Sequence, residues 1–152
     1  MSRRQAQVLQ RVLAAEQAVV YGYGVAGARL VGTARASSLR RWTVHRSRRD
    51  SLEAQVQRLG AEPVPPAAAY ALPAPVRTAA DARTLLTLLE ERLAAVWADA
   101  VADLGRPADR DLRRQAADGL ADAAVAAARW RGGSVPFPGL PERSGPASAD
   151  GS

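Results

Sequence analysis

The chain has 152 residues, a formal net charge of +6 and no cysteine, which leaves room for one domain with a real core and excludes disulfides and thiolate metal sites. Its 34 alanines, with no isoleucine and no lysine, favour helix over strand and make every basic side chain an arginine. No apolar run approaches the ~20 residues that span a bilayer, and the opening MSRRQAQVLQ lacks the apolar stretch of a secretory signal. A cytoplasmic protein with no membrane association is therefore expected.

Residues 13–30, LAAEQAVVYGYGVAGARL, can be read in two ways. Gly22, Gly24 and Gly27 spell G-x-G-x-x-G after an apolar run, with Asp50 at a plausible distance for a ribose-binding acid, as in a dinucleotide-binding loop. The competing reading is one long helix. Leu9, Val12, Glu16, Val19, Tyr23, Ala26 and Leu30 follow an alternating three-four spacing, the seam of a helix in a bundle, and it runs unbroken through the glycines. No turn signal precedes the supposed strand, and no further strand–helix alternation follows. The helix is the better reading, with Gly24, Gly27 and Ala28 as a small-residue surface for close approach of a neighbour.

A tight connection over Gly32–Ser37 leads to a second helix from about Ser37 to Leu59, with Trp42, His45, Arg49, Leu52, Val56 and Leu59 along its seam. The stretch AEPVPPAAAYALPAPVRT carries five prolines and excludes a helix until Ala79. Extended at ~3.1 Å per residue, such a bridge reaches about 60 Å. The second helix is only about 35 Å long at 1.5 Å per residue. The bridge can thus run back along the bundle and start the third helix beside the start of the second. That helix spans about Ala80 to Leu104, with Leu86, Leu89 or Glu90, Leu93 and Trp97 facing inward. After the turn GRPADRD a fourth, alanine-rich helix runs from about Pro107 to Trp130. Residues 131–142 contain VPFPGLP, expected to lie extended on the bundle, and residues 143–152 are expected to be a disordered tail. The fold class expected is all-α: an antiparallel four-helix bundle over 1–142 with one long crossover between helices two and three, the ferritin-like topology.

Several stretches also resemble a known family: AAEQAVVYGYGVAGARL, HRSRRD at 45–50, AYALPAPV at 69–76, LLEERLAAVWADAV at 88–101 and AARWRGGSVPFPGLPE at 127–142. The chain is similar in these to a ferritin-like family, found mostly in high-GC bacteria, that is a domain of unknown function. The resemblance covers nearly the whole chain in order. It implies a four-helix ferritin-like bundle and does not imply any particular activity.

Ferritin-like di-iron proteins place Glu on two helices and Glu-x-x-His on the other two. Here Glu16, His45, Glu90 and Asp122 are the only counterparts, so an iron or manganese site would be degenerate. Trp42 stands where the second helix would carry its glutamate, and Val125 where the fourth would carry its histidine. Facing residues on helices one and two are expected to sum to about 70–72, which sets Glu16 about 14–16 Å from the level of His45. The expectation is one buried polar layer of Tyr23, His45, Arg49, Glu90 and Asp122, with Glu16 a turn or two away. Arg49 beside two carboxylates would supply the charge an ion would otherwise bring, and such a network can fix helix register in an alanine-rich core.

No serine or threonine has an argued histidine partner, so a hydrolytic triad has no support. His45 is the only histidine, which excludes most zinc sites. Residues 1–60 hold 11 arginines against 3 acids, and 61–152 hold 10 against 12. An arginine-rich nucleic-acid surface over 29–49, testable at Arg40 and Arg41, is a third reading, weakened by the absence of interleaved aromatic residues. The main expectation is a non-catalytic binding or assembly module without a cofactor. Exposed alanine and glycine faces on helix one or four could pair it as a homodimer, and any further protein partner is unidentified.

Overall fold

The computed structural model describes residues 2–132, and both the extended VPFPGLP segment and the 143–152 tail lie outside those residues. Among the described residues the chain is all-helical: α1 Ser2–Gly27, α2 Gly32–Arg58, α3 Ala79–Asp103, a single 3-10 turn at Pro107–Asp109, and α4 Arg110–Arg131. None of these helices is long and apolar enough to cross a membrane.

The six seam positions of α1 from Leu9 to Ala26 are buried, Glu16 among them, as is Leu30 just past its end. The G-x-G-x-x-G stretch is helical throughout. The close approach falls elsewhere than Gly24 and Ala28, however. A methyl group at Gly22 would stand 2.2 Å from Leu89 of α3, whereas nothing lies within 4 Å of one at Gly24, and Ala28 is exposed. Gly27 is a moderate case, with Ser38 Oγ 3.4 Å away.

α2 starts five residues earlier than its sequence suggests. The chain reverses at Gly32, whose φ of +57° lies in the left-handed region that side chains disfavour. Helix follows at once, so the loop-like Gly and Ser of 32–37 do not form a connection. The consequence is a shift of register: facing numbers sum to 61 at Glu16–His45 and 65 at Gly27–Ser38, instead of 70–72.

α1 packs antiparallel on α2 and also against α3, and α3 packs on α4. The connection over 59–78 is strapped to α1. Gln10 bonds Glu62 O and Val64 N, Gln17 donates to Val64 O, and Tyr70 packs on Tyr21 with ring centroids 5.4 Å apart. It ends in a capping box, in which Thr78 Oγ1 accepts from Asp81 N and the Asp81 carboxylate accepts from Thr78 N. At the other end of the bundle Arg4 and Gln5 of α1 bond the buried Asp109 ahead of α4.

α3 and α4 fit by size. α4 buries only small residues, Ala116, Gly119, Ala123, Ala126 and Ala127, while α3 buries Leu85, Leu86, Leu89, Leu93 and Trp97. The Trp97 indole lies on Gly119, 2.4 Å from where a Cβ would stand. α2 and α4 are the exception. They make few direct contacts, and the space between them is bridged by charged side chains.

Candidate functional site

The site grows from two positions where the core periodicity demands an apolar side chain and the sequence supplies an acid. Glu16 on α1 and Glu90 on α3 are both fully buried. Burying an unpaired carboxylate is expensive, so each needs a cation and hydrogen bonds. His45 of α2, also fully buried, sits between them: its Nδ1 lies 2.7 Å from Glu16 Oε2 and its Nε2 2.9 Å from Glu90 Oε1.

With an acceptor at each nitrogen, the ring satisfies both only as a doubly protonated imidazolium. Burial opposes that charge, but the hydrogen bonds to Glu16 and Glu90 and the field of the two acids outweigh it and hold the His45 pKa above its usual value. For Glu90, burial pushes the pKa up, while His45, Arg41 and Tyr23 bring it below the ordinary carboxylate range.

Two arginines of α2 complete the layer. Arg41 reaches Glu90 Oε1 through Nη2 at 2.9 Å and grips both oxygens of Asp122 through Nη1, at 3.1 and 2.9 Å. Arg48 joins Glu16 at 3.3 Å to Asp122 at 3.0 Å. Burial would raise the Asp122 pKa, but Arg41 and then Arg48 hold it low. Arg41 Nη2 also lies 3.1 Å from His45 Nε2, a contact between two N–H groups that only their shared partner, Glu90 Oε1, makes tolerable. Counted formally, three acids (Glu16, Glu90, Asp122) meet three cations (Arg41, His45, Arg48), so the layer is neutral.

Tyr23 closes the layer from α1. Its hydroxyl donates to Glu90 Oε1 at 2.6 Å and accepts from Trp130 Nε1 at 2.8 Å. Burial, followed by the adjacent Glu90 charge, raises the phenol pKa far above its usual value, so Tyr23 stays a neutral donor. Four donor contacts from three residues thus converge on Glu90 Oε1, whereas Oε2 has no hydrogen-bond partner among the described residues.

The structure brings together Tyr23, His45, Glu90 and Asp122, and it corrects two placements. Arg49 is not in the layer, because it pairs with its neighbour Asp50 at 2.7 Å on the outside of α2. Glu16 is not a turn or two away but in direct contact with His45, because α2 begins at Gly32 and the register moves with it. The residues missed were Arg41 and Arg48. Ser38, Arg41, His45, Arg48 and Leu52 form a three-four row as regular as Trp42, His45, Arg49 and Leu52, and the two rows share His45 and Leu52. Trp42 marks one flank of α2 as apolar, whereas Asp122 lies on the other. Arg41 is thereby committed to the interior and is unavailable to a nucleic-acid phosphate.

The helical architecture raises the question of a metal. Among the described residues no three His, Asp or Glu side chains are arranged to hold a metal ion. The donor chemistry agrees: a ligating histidine must present a lone pair, and both nitrogens of His45 are occupied by carboxylates. Glu90 and Asp122 already face Arg41. The residues present do not fit a carboxylate-bridged metal pair.

The family described as Domain of unknown function (DUF4439) matches residues 8–142. The chain belongs to it. Among solved structures, this DUF4439 chain is similar to a conserved hypothetical protein, rv2844, from Mycobacterium tuberculosis, at 30% identity and a TM-score of 0.78, over 86% of this chain and 97% of that one. No curated protein matches the DUF4439 chain.

Proposed function

We propose that this protein is a ferritin-like bundle acting in the cytoplasm as a non-catalytic binding or assembly module, in which a charge-compensated polar layer occupies the place of a metal centre. The observation that carries this reading is the engagement of both His45 ring nitrogens by buried carboxylates. An imidazolium donates and cannot ligate, and Arg41 and Arg48 supply the remaining positive charge. What the layer contributes is register. α4 presents an alanine face with little shape to specify its position, and the Arg41 Nη1 contact with both oxygens of Asp122 fixes it relative to α2.

The other reading, a degenerate iron or manganese protein, is favoured by one observation, the unpartnered Glu90 Oε2. Elemental analysis separates the two, on protein purified without chelator and then challenged with anaerobic Fe(II). The proposal expects no iron, manganese or zinc above background. Near-stoichiometric metal that disappears in His45→Ala would overturn it. The module is further proposed to act as a homodimer through exposed alanine and glycine faces of α1 or α4, which light scattering tests directly.

A further inference from the structure

The gap between α2 and α4 is not uniform. Toward the α2 N-terminus it opens into a cavity of about 300 Å³, reached also by Arg83 of α3. That volume is at the lower end of the range for small-molecule sites. Its walls are chemically divided. Val125, Ala126 and Trp130 of α4 and Ala34 of α2 form an apolar side, while Arg40, Arg83 and Arg129 reach it from three different helices.

These arginines differ from those of the polar layer in having no carboxylate partner among the described residues. Arg40 donates only to Ser37 Oγ at 3.0 Å, Arg83 lies over the Trp130 ring at 5.9 Å, and Arg129 makes no ion pair there. The one acid in the lining, Asp122, is already held by Arg41 and Arg48. An arginine in the last turn of α4 complements that helix's dipole, which accounts for Arg129 alone and not for three arginines, all of them exposed, that line one cavity from three helices. The lining carries four arginines against one acid, and a concave site of net positive charge concentrates anionic ligands, while guanidinium forks match carboxylate and phosphate oxygens.

From this shared lining we infer that the α2–α4 cavity is a binding site for a small organic anion. Its phosphate or carboxylate head sits among Arg40, Arg83 and Arg129, and its apolar or aromatic part lies against Trp130 and Val125. The inference deepens the reading of the bundle as a binding module and names the class of ligand. Trp130 then serves twice, because its face borders the ligand while its Nε1 bonds Tyr23, and an occupied cavity adjoins the polar layer directly.

The test is calorimetric titration of the full chain with phenyl phosphate and with inorganic phosphate. Phenyl phosphate is expected to bind more tightly, since only it fills the apolar side. Arg83→Met and Arg129→Met are each expected to weaken it about tenfold or more, equivalent to about 1.4 kcal/mol. Arg113→Met, an exposed α4 arginine outside the cavity, is expected to leave binding unchanged. Thermal melts of each variant show that the fold survives. No heat of binding up to on the order of 10 mM ligand would overturn the inference, as would equal weakening by Arg113→Met. A DNA oligonucleotide that binds and is not displaced by phenyl phosphate would replace the cavity with a diffuse polycationic surface. A blank titration leaves the metal analysis and the His45→Ala melt unaffected, so the two readings fail separately.

Discussion

Replacing His45 with alanine removes the cation between two fully buried acids. Glu16 keeps Arg48 at 3.3 Å and Glu90 keeps Arg41 at 2.9 Å, so neither is left wholly alone. Breaking a buried pair by deleting one partner costs about 3–5 kcal/mol, and the surviving arginines place this case near the lower figure. For a chain of this size 1 kcal/mol moves Tm by roughly 2–4 °C, so His45→Ala is expected to melt about 6–12 °C lower. The informative partner is a variant in which the whole buried set becomes apolar: Glu16→Met, His45→Leu and Glu90→Met, with Tyr23→Phe and Trp130→Phe so that neither the phenol nor the indole N–H that it accepts is stranded. Arg41 and Arg48 retain Asp122 and reach solvent at 18% and 22% side-chain exposure. Replacing a buried ionic set with packed apolar side chains is often neutral, or stabilising by about 1–4 kcal/mol. The apolar variant is therefore expected to melt at or above the wild-type temperature, while its NMR or hydrogen-exchange signature shows a less uniquely packed α2–α4 edge. Differential scanning calorimetry of the two variants decides the matter. An apolar variant less stable than His45→Ala, or a His45→Ala loss under about 1 kcal/mol, would refute the balance drawn between desolvation and pairing.

Stability is expected to depend on pH in a defined sense. His45 has a raised folded pKa, so its contribution is complete below the unfolded value of about 6.5 and is lost as pH rises through the folded one. Glu90 and Asp122 have lowered folded pKa values, so theirs is complete above about 4.3 and lost as pH falls further. A Tm maximum between these limits follows, and His45→Ala should flatten the alkaline side when Tm is scanned from acid to about pH 9. Two helical glycines should respond oppositely to alanine. Gly24→Ala meets open space and gains roughly 1 kcal/mol of helix propensity, whereas Gly119→Ala drives a methyl into the buried Trp97 ring and should lose about 1–3 kcal/mol by denaturant titration. Thr78→Ala removes the capping hydroxyl of α3 and is expected to cost about 1 kcal/mol, read as an earlier urea midpoint.

The helices were legible because long stretches repeat one period: every position of the α1 seam is buried, although the buried face is wider and also takes in Ala6, Val8, Leu13 and Gln17, and the prolines of 63–75 mark where α3 can begin. The two acids in that core betray a polar layer for the same reason, since an apolar position filled by Glu16 or Glu90 demands an explanation. Which arginines answer them was not legible. The rows through Arg41 and Arg48 and through Trp42 and Arg49 are equally periodic, and only the position of Asp122 on a distant helix chooses between them. The start of α2 was missed for a local reason: Gly32 needs its positive φ for the reversal, yet no side chain caps the helix that follows, so the sequence carries no cap signal there. Small residues posed a similar difficulty. Gly22 and Gly24 are indistinguishable in the sequence, and only the placement of Leu89 against Gly22 separates them.

The strap over 59–78 has a consequence for how the chain can be divided. Its hydrogen bonds to Gln10 and Gln17 belong to residues 62 and 64, and its exposed alanines at 67–69 follow. A nick at those alanines would leave the first fragment with its own helical hairpin and a tethered end, and the second with the other hairpin and its capping box. The α1–α3 contact and the arginine bridges to Asp122 would then join the two pieces without a covalent link. The molecule is in effect two halves with a pre-aligned mating surface, so fragments cut there should find one another in solution and rebuild the buried layer as the criterion of correct assembly.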